Sequence, residues 1–441
     1  MDLLKRFFRF VLPSIVAMWV YSLYTIVDGI FVARGVGDQA LAAVNIAMPF
    51  TSFIFTLGII LATGTSTVIS ISLGQNDLER ARRYFSQNLV VTTGASLVLT
   101  VLVLVFLEPF ARLLGATDST LAYVKEYLAV IALFAVFFTV SYNLEIQVKA
   151  NGAPHVSTIG VTACAIMNVV LDYVFVMKLH WGVKGAALAT GLAQVTSTGV
   201  FLLYFLTHTE RLRIGRFTPE LGVYRRSLPL GLSDGFSELS NGLVIFLFNR
   251  VILAVLGEDA VVSYTIIGYI NTLVLMTMIG ISQGMQPLVS YHLGAGKKQA
   301  CHRLLAYGVG MVAVCSAASF AISQLGAPAV VTIFLGRNSP LVPASITALR
   351  TYGWAFLVLG FNVLFAGFFT AVERPAWALT ISSGRSLILL AASLFVLSTL
   401  FGGAGIWVSA LVAELLCLGF TVVFALKYRA EEGRAKLSKT V

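Results

Sequence analysis

The chain has 441 residues, of which 58% are hydrophobic and 11% charged, with a mean hydropathy of +0.89. An ordinary soluble domain carries about 25% charged residues, so this composition excludes one and points to lipid as the solvent. The formal net charge is +10, but the basic residues form no patch interleaved with aromatics, which argues against nucleic acid as a partner.

In chain order, twelve mostly apolar windows are each long enough to cross a hydrocarbon layer of roughly 30 Å as a helix. They fall at 10–34, 41–72, 86–107, 121–144, 155–177 and 186–207, then at 228–256, 261–292, 304–325, 346–371, 376–400 and 404–427. The first follows "MDLLKRFFRF"; it is too long for a signal peptide and no small-residue cleavage site follows, so an uncleaved first helix is expected. No separate soluble domain is left over. Lys5, Arg6, Arg9, Arg80, Arg82, Arg83, Arg211, Arg213, Arg216, Arg225, Arg226, Lys297, Lys298, Arg303 and the tail from Lys427 to Lys439 would share one side of the membrane. Positive loops stay inside, so both termini are expected in the cytoplasm, with basic loops against anionic lipid. Cys164, Cys301, Cys315 and Cys417 lack metal spacing and read as small packing residues.

The sequence repeats itself at an offset of 220. "GTSTVISISLG" from Gly64 to Gly74 matches "GMQPLVSYHLG" from Gly284 to Gly294, and Gly37-Asp38 matches Gly257-Glu258. "WGVKGAALA" at 181–189 matches "FGGAGIWVS" at 401–409, while Pro154 meets Pro375 at 221. The expected fold is therefore all-α and membrane-embedded, with twelve transmembrane helices in two six-helix bundles. Six is even, so the bundles would be related by a pseudo-two-fold axis along the membrane normal. The boundary falls in the polar linker "HTERLRIGRFTPELGVYRRS", giving domains 1–216 and 217–441.

Four polar residues of the first half lack polar counterparts in the second. Asp28 corresponds to Phe248, Asn168 to Ile388, Asp172 to Ala392 and Thr190 to Ala410. Asn168 and Asp172 are i and i+4, on one helical face about a turn apart. A charged Asp at the centre of a membrane helix costs on the order of 3 kcal/mol. Polar contacts between helices return only about 0.6 to 2 kcal/mol, so a functional ligand is favoured over packing. Two carboxylates, an amide oxygen and a hydroxyl are hard donors that suit Na⁺. The same carboxylate pair could instead share a proton.

"VDGIFVARGVGDQALAAVNIAMPF", "NVVLDYVF" and "GVKGAALAT" together resemble the multidrug and toxic compound extrusion (MATE) family, bacterial type, and the likeness spans the whole chain. The resemblance implies a cation or proton site at Asp28, Asn168, Asp172 and Thr190, and a first helix that bends at Pro13. It implies a secondary active exporter of organic cationic drugs in the bacterial inner membrane, antiporting H⁺ or Na⁺ by alternating access. A monomer without cofactor is expected, contacting only membrane lipids and its substrates. Within the resemblance, Glu238 stands where some members carry a second-half carboxylate, but no acid occurs around Gly360 to Asn362.

Asp234 and Glu238, again i and i+4, are candidates for attracting substrate cations, and Gln283 and Gln286 for an adaptable cavity. Glu414 has a polar counterpart in Gln194 and is expected to face the interior as a further residue of the substrate cavity. Arg385 could pair with an acid or snorkel to the interface. Glu145 and Lys149 read as a local ion pair near a helix end. Tyr269, Met276, Met278 and Met285 read as packing or lipid-facing residues. No G-x-x-x-x-G-K-[ST] supports ATP as fuel, and the scattered histidines give no catalytic constellation, so an enzyme is not expected. The alternative function is a flippase of lipid-linked oligosaccharides in the same superfamily, which should show a more basic cavity.

Overall fold

A computed structural model describes residues 2–36, 38–208 and 210–437. Gly37 of the first Gly-Asp pair, Thr209 of the linker and Lys439 of the tail lie outside them. The first half runs α1 (Leu3–Gly35), α2 (Asp38–Gly74), α3 (Leu78–Val105), the short α4 (Leu107–Leu113), α5 (Leu121–Ala150), α6 (Pro154–Asp172) and α7 (Gly182–Thr207). The second half runs α8 (Gly222–Val255), α9 (Glu258–Gly294), α10 (Lys298–Leu325), the short α11 (Ala327–Leu335), α12 (Val342–Gly353), α13 (Phe356–Ala371), α14 (Pro375–Ser383) and α15 (Leu389–Leu437). Two π-helical stretches, Tyr173–Lys178 and Gly384–Ile388, extend α6 and join α14 to α15.

The breaks follow local chemistry. Asp77 caps α3 by accepting from the Arg80 N–H at 3.0 Å. Pro154 and Pro375 open α6 and α14, where a missing N–H costs nothing. Ten described helical runs are long and apolar enough to cross a membrane, and α12 with α13 passes as a pair bent by 42°. The 346–371 window is therefore a broken helix. The final run, Pro375–Arg434, has 60 residues, about 90 Å of helix against a layer of roughly 30 Å. Gly402 interrupts it at φ 57 and ψ −133, between the windows at 376–400 and 404–427.

The repeat reaches the level of elements. Asp38–Gly74 recurs as Glu258–Gly294, and Leu78–Val105 as Lys298–Leu325. Even the lateral helices α4 and α11 begin at corresponding positions, Leu107 and Ala327. The apolar cores are mostly internal to each half, but Phe7, Val11 and Ile15 of α1 enter the large second-half core, and Val223 and Leu230 of α8 enter a first-half core.

A glycine seam joins the halves. A Cβ on Gly64 would meet the Ser227 carbonyl oxygen at 1.9 Å, and one on Gly284 would meet the Val11 Cα at 2.7 Å. Likewise Gly74 lies on the Tyr291 carbonyl, and Gly294 on the Ile71 carbonyl. These contacts come in pairs exchanged by the repeat, and small residues permit such backbone approach in lipid. All sit toward the end of the bundle that carries the α2–α3 and α9–α10 turns. Near that end the linker is strapped to α3, with Arg82 donating to the carbonyls of Glu210 and Arg211 and Gln87 holding the Glu220 backbone.

Candidate ion and substrate site

Asp28 of α1, Asn168 and Asp172 of α6 and Thr190 of α7 come together in the first half. The Asp28 carboxyl lies within side-chain reach of the other three, and the Asn168 amide donates to the Thr190 hydroxyl at 3.5 Å. Asn168 and Asp172 are 0% exposed. Asp28 Oδ1, Asn168 Oδ1 and both Asp172 carboxyl oxygens are buried without a hydrogen-bond partner. Four converging oxygens in that state would be costly in an inert core. They form a cluster of acceptors that a proton or a hard cation could satisfy. Asp172 ends α6 where the π-helical stretch begins, a local distortion that recurs at functional sites.

The second half builds something else at the corresponding place. Phe248 is buried and stacks on Tyr264, with ring centroids 4.9 Å apart, in a small apolar core with Leu394 and Ile406. Ala410 is buried in the larger second-half core. The Pro154–Pro375 match at 221 moves the α6 register by one: Ile388 and Ala392 are exposed, and Ser393 rather than Ala392 is buried. In either register the second half supplies no carboxylate or amide there.

Between the halves lies a cavity of about 1270 Å³, counting its space open to solvent. Tyr24, Cys164 and Gln194 line it, and each is four residues from a member of the cluster, Asp28, Asn168 and Thr190 respectively. The cluster therefore sits one helical turn, about 6 Å along the helices, beyond the cavity wall. Asp234, Glu238, Gln283 and Gln286 all line the cavity, as does Met276. No ion pair among the described residues reaches Asp234 or Glu238, whereas the cavity's Arg385 is engaged by Glu414 at 3.1 Å. Met278 and Met285 are core residues instead, and exposed Tyr269 stacks on Phe334.

Glu414 is corrected from cavity residue to buried anchor. It does not line the cavity; besides Arg385 it accepts from the Asn362 amide at 2.7 Å, while Asn362 accepts from Thr421 at 2.8 Å. The acid missing near Asn362 in the sequence thus arrives from α15. A single Arg385→Leu substitution, leaving Glu414 buried and unpaired, is expected to destabilise by about 3–5 kcal/mol. Arg385→Leu with Glu414→Leu should recover most of that loss in thermal unfolding of the detergent-solubilised protein. Glu145 and Lys149 do form the expected pair, at 2.8 Å, but it is buried, with side chains 8% and 1% exposed. Position near a helix end hid this, because the covering residue, Gln283, comes from the other half of the chain.

Pro13 lies inside α1, which continues through it, and its carbonyl accepts from Thr158 at 2.8 Å. Among the described residues, no three His, Cys, Asp or Glu side chains gather as a metal site, so Na⁺ at the cluster would depend on amide and hydroxyl oxygens beside the two carboxylates.

Known proteins place this arrangement. A multidrug export protein, MepA of Staphylococcus haemolyticus (strain JCSC1435), is 26% identical over 445 residues, covering 99% of this chain and 96% of the relative. A solved MATE structure in complex with MaL6 superposes with a TM-score of 0.92 at 23% identity, covering 99% and 98% of the two chains. An outward-facing multidrug resistance MATE family transporter of the MOP superfamily gives 0.92 and 23%, covering 99% and 97%. The MatE family model matches residues 13–174 and 240–396. With most of its length matched in two blocks, one in each half, the chain belongs to the MatE family, the multidrug and toxic compound extrusion transporters, and is a membrane carrier rather than an enzyme.

Proposed function

We propose that this protein is a secondary active multidrug exporter that moves organic cations out of the cell against H⁺ or Na⁺. Its twelve spans form two six-helix lobes related by a pseudo-two-fold axis along the membrane normal. The lobes are 1–216 and 217–441, with the linker as far as Glu220 held against α3 of the first lobe. The paired glycine contacts support the axis. Breaking the last run at Gly402, and counting bent α12 and α13 as one span, brings the total to twelve.

Both termini are cytoplasmic in this reading, in the bacterial inner membrane. The glycine seam then closes the cytoplasmic side and the cavity faces outward. Pro13, near the cytoplasmic start of α1, is the hinge on which that helix bends. Residues of both lobes line the cavity, and the functional unit in this reading is a monomer in lipid.

The observation that carries the function is the placement of four unpartnered buried oxygens one turn from a cavity holding two unpaired carboxylates. Asp28, Asn168, Asp172 and Thr190 take the coupling ion, and Asp234 and Glu238 attract the substrate cation, with Gln283 and Gln286 adapting to its shape. The ion and the drug bias the same lobes, so each weakens the other by linkage. The acidic cavity, and the export function of the staphylococcal relative, favour cation export over a flippase.

Efflux of ethidium from proteoliposomes, with pH and Na⁺ gradients imposed separately, tests this. Export driven by either gradient is expected. No transport of any cationic dye under either gradient, with flipping of a lipid-linked oligosaccharide, would replace the exporter by the flippase.

A further inference from the structure

Lys149 is the penultimate residue of α5, yet its side chain turns inward and is 1% exposed. At a helix end a lysine can reach water freely. Burying it costs several kcal/mol, which needs a close counter-charge and satisfied hydrogen bonds. Glu145 supplies the charge at 2.8 Å and also accepts from Ser157 at 2.9 Å. The third contact crosses between the halves: Lys149 donates to Gln283 Oε1 of α9 at 3.1 Å, and Gln283 donates back to the Tyr142 hydroxyl of α5 at 3.2 Å.

The two ends of the ion pair face different spaces. Glu145 lines the large cavity, whereas Lys149 lines a small chamber below it with Ser66, Thr67 and Ser290. Gln283 and Gln286 border both. The ammonium thus reaches a cavity carboxylate from the side of the glycine seam. Separation of α5 from α9 would remove Gln283 from Lys149 and open the lysine to water one residue from its helix end.

We propose, resting on the exporter reading, that Glu145 is a third substrate-cation subsite from which Lys149 displaces the transported cation as the lobes close on the seam side. With the seam shut, Gln283 holds the tethered ammonium on Glu145, and the bound drug loses that carboxylate. With the seam open, Lys149 turns to the cytoplasm and Glu145 faces the incoming drug. A tethered competitor acts at a high effective concentration, of order millimolar for a short flexible link, and here a fixed hydrogen bond to Gln283 adds to its hold on the shared site. No proton or electron changes hands; one cation replaces another.

The test uses full-length protein, ethidium binding in detergent and ethidium efflux from proteoliposomes. Lys149→Met removes the competitor and leaves Glu145 free. The expected result is ethidium bound roughly tenfold more tightly and exported roughly tenfold more slowly. Lys149→Gln, which keeps a donor for Gln283, should do the same and serves where the Met variant fails to insert. Glu145→Gln with Lys149→Met removes both charges, a change buried pairs tolerate, and should bind ethidium at least tenfold more weakly than Lys149→Met alone. Unchanged affinity and efflux in both single variants would overturn the tethered-cation exchange. So would a double variant that binds as tightly as Lys149→Met. Wild-type protein that neither binds nor exports ethidium would instead sink the exporter reading beneath it.

Discussion

Asp172→Asn is expected to lower gradient-driven ethidium efflux by about a hundredfold while leaving the protein inserted and at least as heat-stable as wild type. The substitution keeps the shape of a side chain that is 0% exposed and removes its ability to carry charge. Coupling between two sites amounts to about 1–3 kcal/mol, and roughly 2.7 kcal/mol corresponds to that hundredfold effect. Stability should not fall, because both Asp172 oxygens are buried without a partner and a neutral amide relieves the cost of a buried charge. Asp28→Asn should behave alike, since Asp28 presents an orphaned oxygen to the same cluster. Thr190→Val should be milder, about tenfold, because the hydroxyl contributes one oxygen and a long 3.5 Å bond. An Asp172→Asn variant with full efflux under both gradients would remove the cluster from the mechanism.

The second large effect is expected at the glycine seam. In Gly64→Val the new Cβ would fall 1.9 Å from the Ser227 carbonyl oxygen and 2.7 Å from its carbon. Backbone cannot swing away as a flexible side chain does, so α2 and α8 must part. Overpacking of this kind costs about 1–3 kcal/mol, enough to move the equilibrium toward an open seam by about ten- to a hundredfold. Maleimide labelling of Ser66→Cys, in the small chamber beneath the cavity, should then speed up by at least tenfold from the cytoplasmic side. Gly284→Val, the repeat counterpart, should do the same against Val11. Gly94→Ala is the control, because nothing lies within 4 Å of the added carbon. Equal labelling rates in Gly64→Val and Gly94→Ala would mean that the seam does not govern access.

Much of this was legible in the sequence for a definable reason. Membrane spans declare themselves by apolar length, and a repeat exposes which polar residues the architecture does not require. Asp28, Asn168, Asp172 and Thr190 all stood out against the repeat, and the structure brings them together across three helices. Asp234 and Glu238 drew attention by their i, i+4 spacing and charge, and with Gln283 and Gln286 they line the cavity.

What stayed hidden depended on contacts between distant segments. Glu414 and a cavity acid look the same in sequence, and only Arg385 and Asn362 beside it show an anchor. Lys149 looked like an ordinary helix-end lysine because its cover comes from Gln283, 134 residues away. The π-helical stretch after Asp172 carries no residue pattern of its own. The one-residue shift at α6 was visible in the Pro154–Pro375 match at 221, but the burial of Ser393 rather than Ala392 shows where it takes effect.

The central claim is that ion and drug oppose each other through the Asp28–Asn168–Asp172–Thr190 cluster. Its most direct test is equilibrium ethidium binding to purified wild-type and Asp172→Asn protein, measured across pH without Na⁺ and across Na⁺ at fixed pH. One of the two ions, acid or Na⁺, should weaken wild-type binding progressively, and the Asp172→Asn response to it should be flat. Wild-type affinity that ignores both ions, or an Asp172→Asn variant that keeps the full wild-type response, would contradict it.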